Sequence, residues 1–207
     1  LGKSGTGLSP TPLQIAAAIL AGGQSRRMGR DKGRLQLGGQ TLIERVLAAV
    51  RPLDCPTFIV ARRATDHADL SLPVIPDLYP DAGPLGGLGT ALHHTSTPAL
   101  LLLACDQPFL TPPFLRFLAA QLGTHQAVVP RSPQGLQPLC AAYARSCLPL
   151  VEATLAQGER RMHAFCQSLD LRLLEPAEWQ PFDPRGLLFA NLNTPEEYQR
   201  ALDLPCC

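Results

Sequence analysis

Short apolar runs alternate with amphipathic stretches along this chain, and glycine and proline clusters separate them. Ile15–Leu20 carries no charge and reads as a buried strand. Gly38-Gly39 predicts a turn. Residues 41–50 then read as a helix: Thr41 and Glu44 have capping-box spacing, and Leu42, Val46 and Ala49 fall on one face. Thr57–Ala61 reads as a second strand and residues 72–75 as a short third, ended by Pro76-Asp77. A second glycine cluster, Gly83-Pro84-Leu85-Gly86-Gly87-Leu88-Gly89, precedes a helix expected over residues 88–94. There the glycines are expected to present N–H groups and the positive end of the helix dipole. Ala99–Ala104 is the most apolar strand and ends at Cys105-Asp106. Thr111-Pro112 then opens a helix to Leu122, with threonine as N-cap and proline in the first turn.

The second half is less regular. Residues 126–130 and 139–143 read as strands. Residues 146–155 read as a helix broken at Gln157-Gly158, and residues 159–169 as a second helical stretch. Residues 187–190 read as a strand leading to Asn191-Leu192-Asn193. Thr194-Pro195-Glu196-Glu197 is a capping box with proline at the first helical position, so a last helix runs to about Leu202. Residues 1–12 are Gly, Ser, Thr and Pro rich and read as a flexible tail, in which Gly2-Lys3-Ser4 only mimics the end of a phosphate loop. The strand–helix alternation predicts an α/β fold: one domain with a mostly parallel, Rossmann-like sheet flanked by helices.

Composition excludes several classes. At 207 residues, 45% hydrophobic and 17% charged, the chain is globular and long enough for one α/β domain. A net charge of +1 gives no bulk field to recruit nucleic acid or an anionic membrane. Its apolar runs are too short to span a bilayer, and no secretory pattern is present, so a cytoplasmic protein is expected. The seven cysteines show no C-x-x-C spacing, and Cys55, Cys105, Cys140 and Cys147 read as small core residues. His93-His94 reads as helix surface.

The candidate chemistry follows the first strand. Leu20-Ala21-Gly22-Gly23-Gln24-Ser25-Arg26-Arg27-Met28-Gly29-Arg30-Asp31-Lys32 turns sharply on glycines and surrounds the turn with donors and positive charge. Open α/β sheets bind phosphates at such a strand end. The spacing fits neither G-x-G-x-x-G nor G-x-x-x-x-G-K-[ST]. Lys32, Arg26 and Arg27 can neutralise phosphates, with backbone N–H groups from Gly22 to Ser25 as further donors. Asp106 ends a strand without charges, so its carboxylate must be paired or bound to a cation, unless it serves as an N-cap. A single aspartate is enough for magnesium, which keeps phosphate and water ligands. Arg160 or Arg161 can hold a phosphate. Asn191 and Asn193 either read a heterocycle edge or form turn and cap bonds.

The pattern L-A-G-G-x-S-x-R-M-G-x-D-K resembles the signature of the molybdenum cofactor guanylyltransferase family. The resemblance extends through Ala104-Cys105-Asp106-Gln107-Pro108, Ala156-Gln157-Gly158-Glu159-Arg160-Arg161 and Phe189-Ala190-Asn191-Leu192-Asn193-Thr194-Pro195-Glu196-Glu197. It covers about residues 20–198 and implies a nucleotide-diphospho-sugar-transferase-like fold. The implied division is a nucleotide half over about 13–125 and a pterin or acceptor half over about 126–207.

The implied activity is transfer of GMP from GTP to the terminal phosphate of molybdopterin. The family pattern implies Leu20, Ala21, Gly22, Gly23, Ser25, Lys32, Asp77 and Gly86 for the nucleotide. It implies Asp106 for Mg2+, and Arg27 as the arginine of its pair that faces phosphate. Lys32, Arg27 and Asp106 would be the catalytic set. Asp77 by itself is equally an ordinary turn residue. The segment 156–161 is implied for the pterin. The family's asparagine after its second strand has no counterpart in Val60-Ala61-Arg62-Arg63. Gly22 is the guanylyl choice at its position, where cytidylyl relatives carry alanine. The expected partners are GTP and molybdopterin, other molybdenum cofactor biosynthesis proteins and acceptor molybdoenzymes, around a monomer. The alternatives are a cytidylyl or sugar-phosphate nucleotidyltransferase, or a non-catalytic molybdopterin carrier.

Overall fold

The computed structural model describes residues 14–22, 32–192 and 194–203. The expected strand β1 (Ile15–Leu20) is an interior strand of the sheet. Lys32–Arg34 forms a short 3-10 turn, and β2 (Gln36–Leu37) and β3 (Gln40–Thr41) make a small hairpin around the expected Gly38-Gly39 turn. Both glycines there have positive φ, 60° and 81°, which side chains rarely adopt. Next come α1 (Leu42–Val50), capped by the Thr41–Glu44 box, and β4 (Thr57–Ala61). Then follow β5 (Val74–Pro76), α2 (Gly83–His94), β6 (Ala99–Ala104) and α3 (Pro112–Ala120). The second half supplies β7 (Ala127–Ser132), β8 (Gly135–Leu136) and β9 (Cys140–Ala144). It closes with α4 (Leu148–Ala156), α5 (Met162–Gln167), β10 (Leu171–Leu174), α6 (Pro176–Trp179) and α7 (Pro195–Leu202).

The strand order is β10-β7-β9-β6-β1-β4-β5, with β8 pairing β7. β1 runs parallel to β4 and β6, β4 to β5, and β10 to β7. β9 alone on that path runs against both of its neighbours, β6 and β7. The sheet is therefore mostly parallel, as expected, and strands from both halves of the chain share it.

Burial explains the uncharged β1. Side chains alternate across a strand, and here both faces are covered. Ile15, Ala17 and Ile19 pack with α1 and α3 residues such as Val46, Phe114 and Leu118. Ala16 and Ala18 pack on the other face with Leu85, Leu88 and Leu92 of α2 and Val151 of α4.

Two expectations are corrected. The second glycine cluster does not precede its helix; it is the helix, which starts at Gly83 rather than Leu88. Its glycines are there for close packing. A Cβ on Gly86 would lie 2.8 Å from the Tyr79 carbonyl oxygen, and one on Gly87 3.0 Å from Leu20. The expected strand over 187–190 is a turn. Leu188 and Phe189 are buried, and the Phe189 ring meets Trp179 edge-on at 4.8 Å and Phe114 at 5.5 Å. The edge strand beside β7 is β10, which the sequence reading did not expect.

Candidate active site at the C-terminal edge of the sheet

β5, β4, β1 and β6 are parallel neighbours, so their C-terminal ends share one edge, where open α/β sheets bind ligands. Backbone bonds lock the exits together. The Cys105 N–H donates to Leu20 O at 3.2 Å, Ala21 N–H to Val60 O at 2.9 Å, and Asp77 N–H to Ala61 O at 2.8 Å. Leu20, Ala21, Gly22, Asp77 and Asp106 thus come to one edge. Among the described residues, the nearest atoms to a Cβ on Gly22 would be Arg62 N at 3.5 Å and Ala61 at 3.6 Å, ordinary van der Waals contact. Packing against the described residues does not demand glycine at this position.

Lys32 and Asp106 meet across this edge. Lys32 Nζ lies 3.7 Å from Asp106 Oδ2, and both side chains are mostly buried, at 20% and 18% exposure. Burial pushes the Asp106 carboxyl above its usual range, Lys32 pulls it back, and the nearby Glu197 adds to the rise. The 3-10 turn at Lys32–Arg34 carries the lysine. The C-terminal motif reaches the same place, because Leu192 N–H donates to Asp106 O at 3.2 Å. That contact brings Asn191 beside the β6 exit. α7 is fixed by its Thr194–Glu197 capping box and by the Tyr198 hydroxyl donating to Gln36 O at 2.5 Å.

Asp77 is already engaged. Its Oδ1 accepts from Tyr79 N–H at 3.0 Å and from the Thr90 hydroxyl at 2.8 Å, and that hydroxyl accepts from Leu78 N–H at 3.0 Å. This network holds the connection from β5 to α2. Gly86 is buried one turn inside α2. Helix geometry leaves unpaired N–H groups only in the first turn, so the donors expected along the whole cluster narrow to its start near Gly83.

On the acceptor side, the Arg160 guanidinium donates to Asp81 O at 3.1 Å, tying the segment 156–161 to the loop before α2. Arg161 forks onto Glu159 at 2.9 and 2.6 Å, and this pairing holds the Glu159 carboxyl down to about 2. Gly23, Ser25, Arg26, Arg27 and Asn193 lie outside the described residues.

Gln107 escaped the sequence reading. It is 2% exposed, and its Oε1 accepts no hydrogen bond from the described residues. Burying an amide oxygen without a donor costs about 1–3 kcal/mol. A polar residue after a strand-ending aspartate looks like any turn residue, so only its burial marks it.

The model of the MobA-like NTP transferase domain matches residues 17–172. A "Probable molybdenum cofactor guanylyltransferase" of Chloroflexus aggregans is 36% identical over 194 residues, covering 91% of this chain and 93% of that protein. The "Molybdenum cofactor guanylyltransferase" of Desulfosudis oleivorans is 33% identical over 189 residues, covering 90% of this chain and 94% of that protein. The crystal structure of molybdopterin-guanine dinucleotide biosynthesis protein A from Archaeoglobus fulgidus superposes with a TM-score of 0.79 at 30% identity, covering 90% of this chain and 96% of that one.

Proposed function

The chain belongs to the MobA-like NTP transferase family, and from that premise we propose that it transfers GMP from GTP to the terminal phosphate of molybdenum-bound molybdopterin. The products are molybdopterin guanine dinucleotide and pyrophosphate. A phosphate oxygen of the acceptor forms a bond to the α-phosphorus of GTP, and the bond from that phosphorus to the bridging oxygen breaks. The attacking phosphate is already ionised, so no general base is required.

The observation that carries this reading is the Lys32–Asp106 pair at the shared strand exits, 3.7 Å apart and mostly buried. Lys32 supplies a point charge for the β- and γ-phosphates. Asp106 is a hard oxygen donor set against a single lysine, which fits a hydrated magnesium ion. When bound, that ion would be held by Asp106 and would offset the charge that builds on pyrophosphate. Arg27, Ser25 and Gly23 would complete the phosphate shell. The backbone at Leu20, Ala21 and Gly22 would line the base and ribose. Asp77 and Gly86 would support the base side through the β5–α2 connection. Arg160, Arg161, Asn191 and Asn193 would receive the pterin and its phosphate. A monomer suffices, since every residue invoked comes from one chain. No helix among the described residues is long and apolar enough to cross a membrane, in keeping with a cytoplasmic enzyme.

Pyrophosphate release in the presence of GTP, magnesium and molybdopterin tests the reaction. Cofactor binding without release would make the chain a carrier instead. Base choice tests the guanylyl assignment. We expect GTP to be preferred over CTP by at least about tenfold, which needs ~1.4 kcal/mol of differential transition-state binding. Gly22→Ala should fold normally, because its Cβ finds ordinary contacts, and should cut the GTP rate more than the CTP rate. Equal use of the two nucleotides by the unmodified protein in a competition assay would move it to the cytidylyl class.

The acceptor side has its own test. Arg160→Ala combined with Arg161→Ala is expected to weaken molybdopterin binding by about tenfold or more, the scale of one lost charge-assisted contact, and to spare GTP binding. Arg161 must exchange Glu159 for the ligand, so Glu159→Gln should tighten molybdopterin binding. Loss of GTP affinity with pterin affinity intact would refute this division of the crevice.

A further inference from the structure

We propose that Gln107 is a positioning residue for the divalent cation, its side-chain oxygen accepting a hydrogen bond from a water in the ion's coordination shell. The inference rests on the reading of Asp106 as the carboxylate that faces the ion.

The first observation is the orphaned atom itself. Gln107 is 2% exposed and its Oε1 has no donor among the described residues. Other glutamine oxygens are satisfied: that of Gln126 accepts from Asp170 N–H at 2.8 Å, and that of Gln121 from the Arg172 guanidinium at 2.8 Å. A glutamine kept only for structure would be expected to match them. The second observation is place. Gln107 directly follows Asp106 in the turn that leaves β6, so the orphaned oxygen and the carboxylate belong to one turn.

Chemistry then narrows the ligand. An amide oxygen only accepts, and so do ionised phosphate oxygens, so the triphosphate cannot satisfy it. A donor is needed. Lys32 already sits 3.7 Å from Asp106 and serves the carboxylate. Magnesium gives up its waters reluctantly and usually keeps several of them. Waters on a divalent ion are acidified and so donate strongly. A neutral amide can fix one of them without disturbing the charge balance between Lys32, Asp106 and the ion. Outer-shell partners of this kind set metal affinity through geometry rather than charge.

The test uses the whole chain and Mn2+ as a paramagnetic probe, titrated first without nucleotide and then with GTP, and read by electron paramagnetic resonance. Gln107→Met keeps the length and removes the acceptor. Mn2+ is expected to bind it about tenfold more weakly, while its metal-free melting temperature stays at or above that of the unmodified protein. Gln107→Glu keeps an acceptor oxygen and should hold Mn2+ within about threefold of the original affinity. Excess Mg2+ should restore the GMP-transfer rate of Gln107→Met. Unchanged Mn2+ affinity in Gln107→Met, with a lowered melting temperature, would make Gln107 a purely structural residue and overturn the proposal. So would equal losses in both variants. Absence of GMP transfer by the unmodified protein would overturn the functional reading, whereas the nucleotide-free Mn2+ arm still decides the role of Gln107.

Discussion

Asp106→Asn is expected to lower turnover by about 10²- to 10³-fold, the scale of losing one electrostatic contact to the transition state. The melting temperature should stay at or above that of the unmodified protein. Both expectations follow from one fact: the carboxylate is held where burial disfavours its charge. Asparagine has nearly the same shape, so the turn after β6 and its bond from Leu192 N–H to Asp106 O are preserved. The amide cannot balance a divalent ion, so the chemistry is lost. It also removes a charge that burial disfavours, which offsets the lost pairing with Lys32. Steady-state kinetics with saturating magnesium and a thermal melt check the two halves. Turnover at the original rate would end the assignment of Asp106 to the metal.

Lys32→Met should lower turnover by about 10²-fold or more, because the phosphates lose their buried counter-charge. It should also change how stability responds to pH. Asp106 has a folded value already raised above its unfolded one, chiefly by burial, and Lys32 opposes that rise. A carboxyl raised in this way favours the fold most when protonated. Its contribution is lost as pH climbs through the folded value. Removing Lys32 raises that value further and deepens the loss. The melting-temperature deficit of Lys32→Met should therefore be larger at about pH 8 than at about pH 5, and Asp106→Asn in the same chain should abolish the difference. A deficit independent of pH would show that the pair is not coupled. The two substitutions should also be far from additive in turnover, since the groups act as one unit.

The elements that were legible share a property: their signals are local. Thr41 with Glu44, Thr111 with Pro112, and Thr194 with Glu197 fix helix starts through bonds spanning three residues, and all three caps form as expected. The uncharged runs of β1 and β6 follow from burial on both faces. The strand over Thr57–Ala61 falls where its pattern placed it. The motif at 104–108 likewise placed Asp106 at a strand exit.

What the sequence by itself determined is therefore the set of capped helices, the buried parallel strands, and the identity of the groups at their exits. Only the tertiary structure decided how those groups are placed and packed. Glycines 86 and 87 read as lying before a helix that begins at Leu88, because glycine signals backbone freedom, yet here they sit inside α2 and let it lie against Tyr79 and Leu20. Residues 187–190 had the composition of a strand, but an apolar segment can pair at a sheet edge or plug the core, and nothing within it chooses. Trp179 and Phe114 chose by taking Phe189 into T-shaped ring contacts, and β10 took the edge. Asp77 reads equally as a turn residue or a ligand contact, and only the structure shows that Thr90, from the next helix, bonds its carboxylate. Lys32 and Asp106 lie far apart in the chain, and parallel pairing of β1 with β6 brings them to one edge. Gln107 became visible only through burial, because a missing donor is a property of the surroundings and leaves no mark on the residue itself.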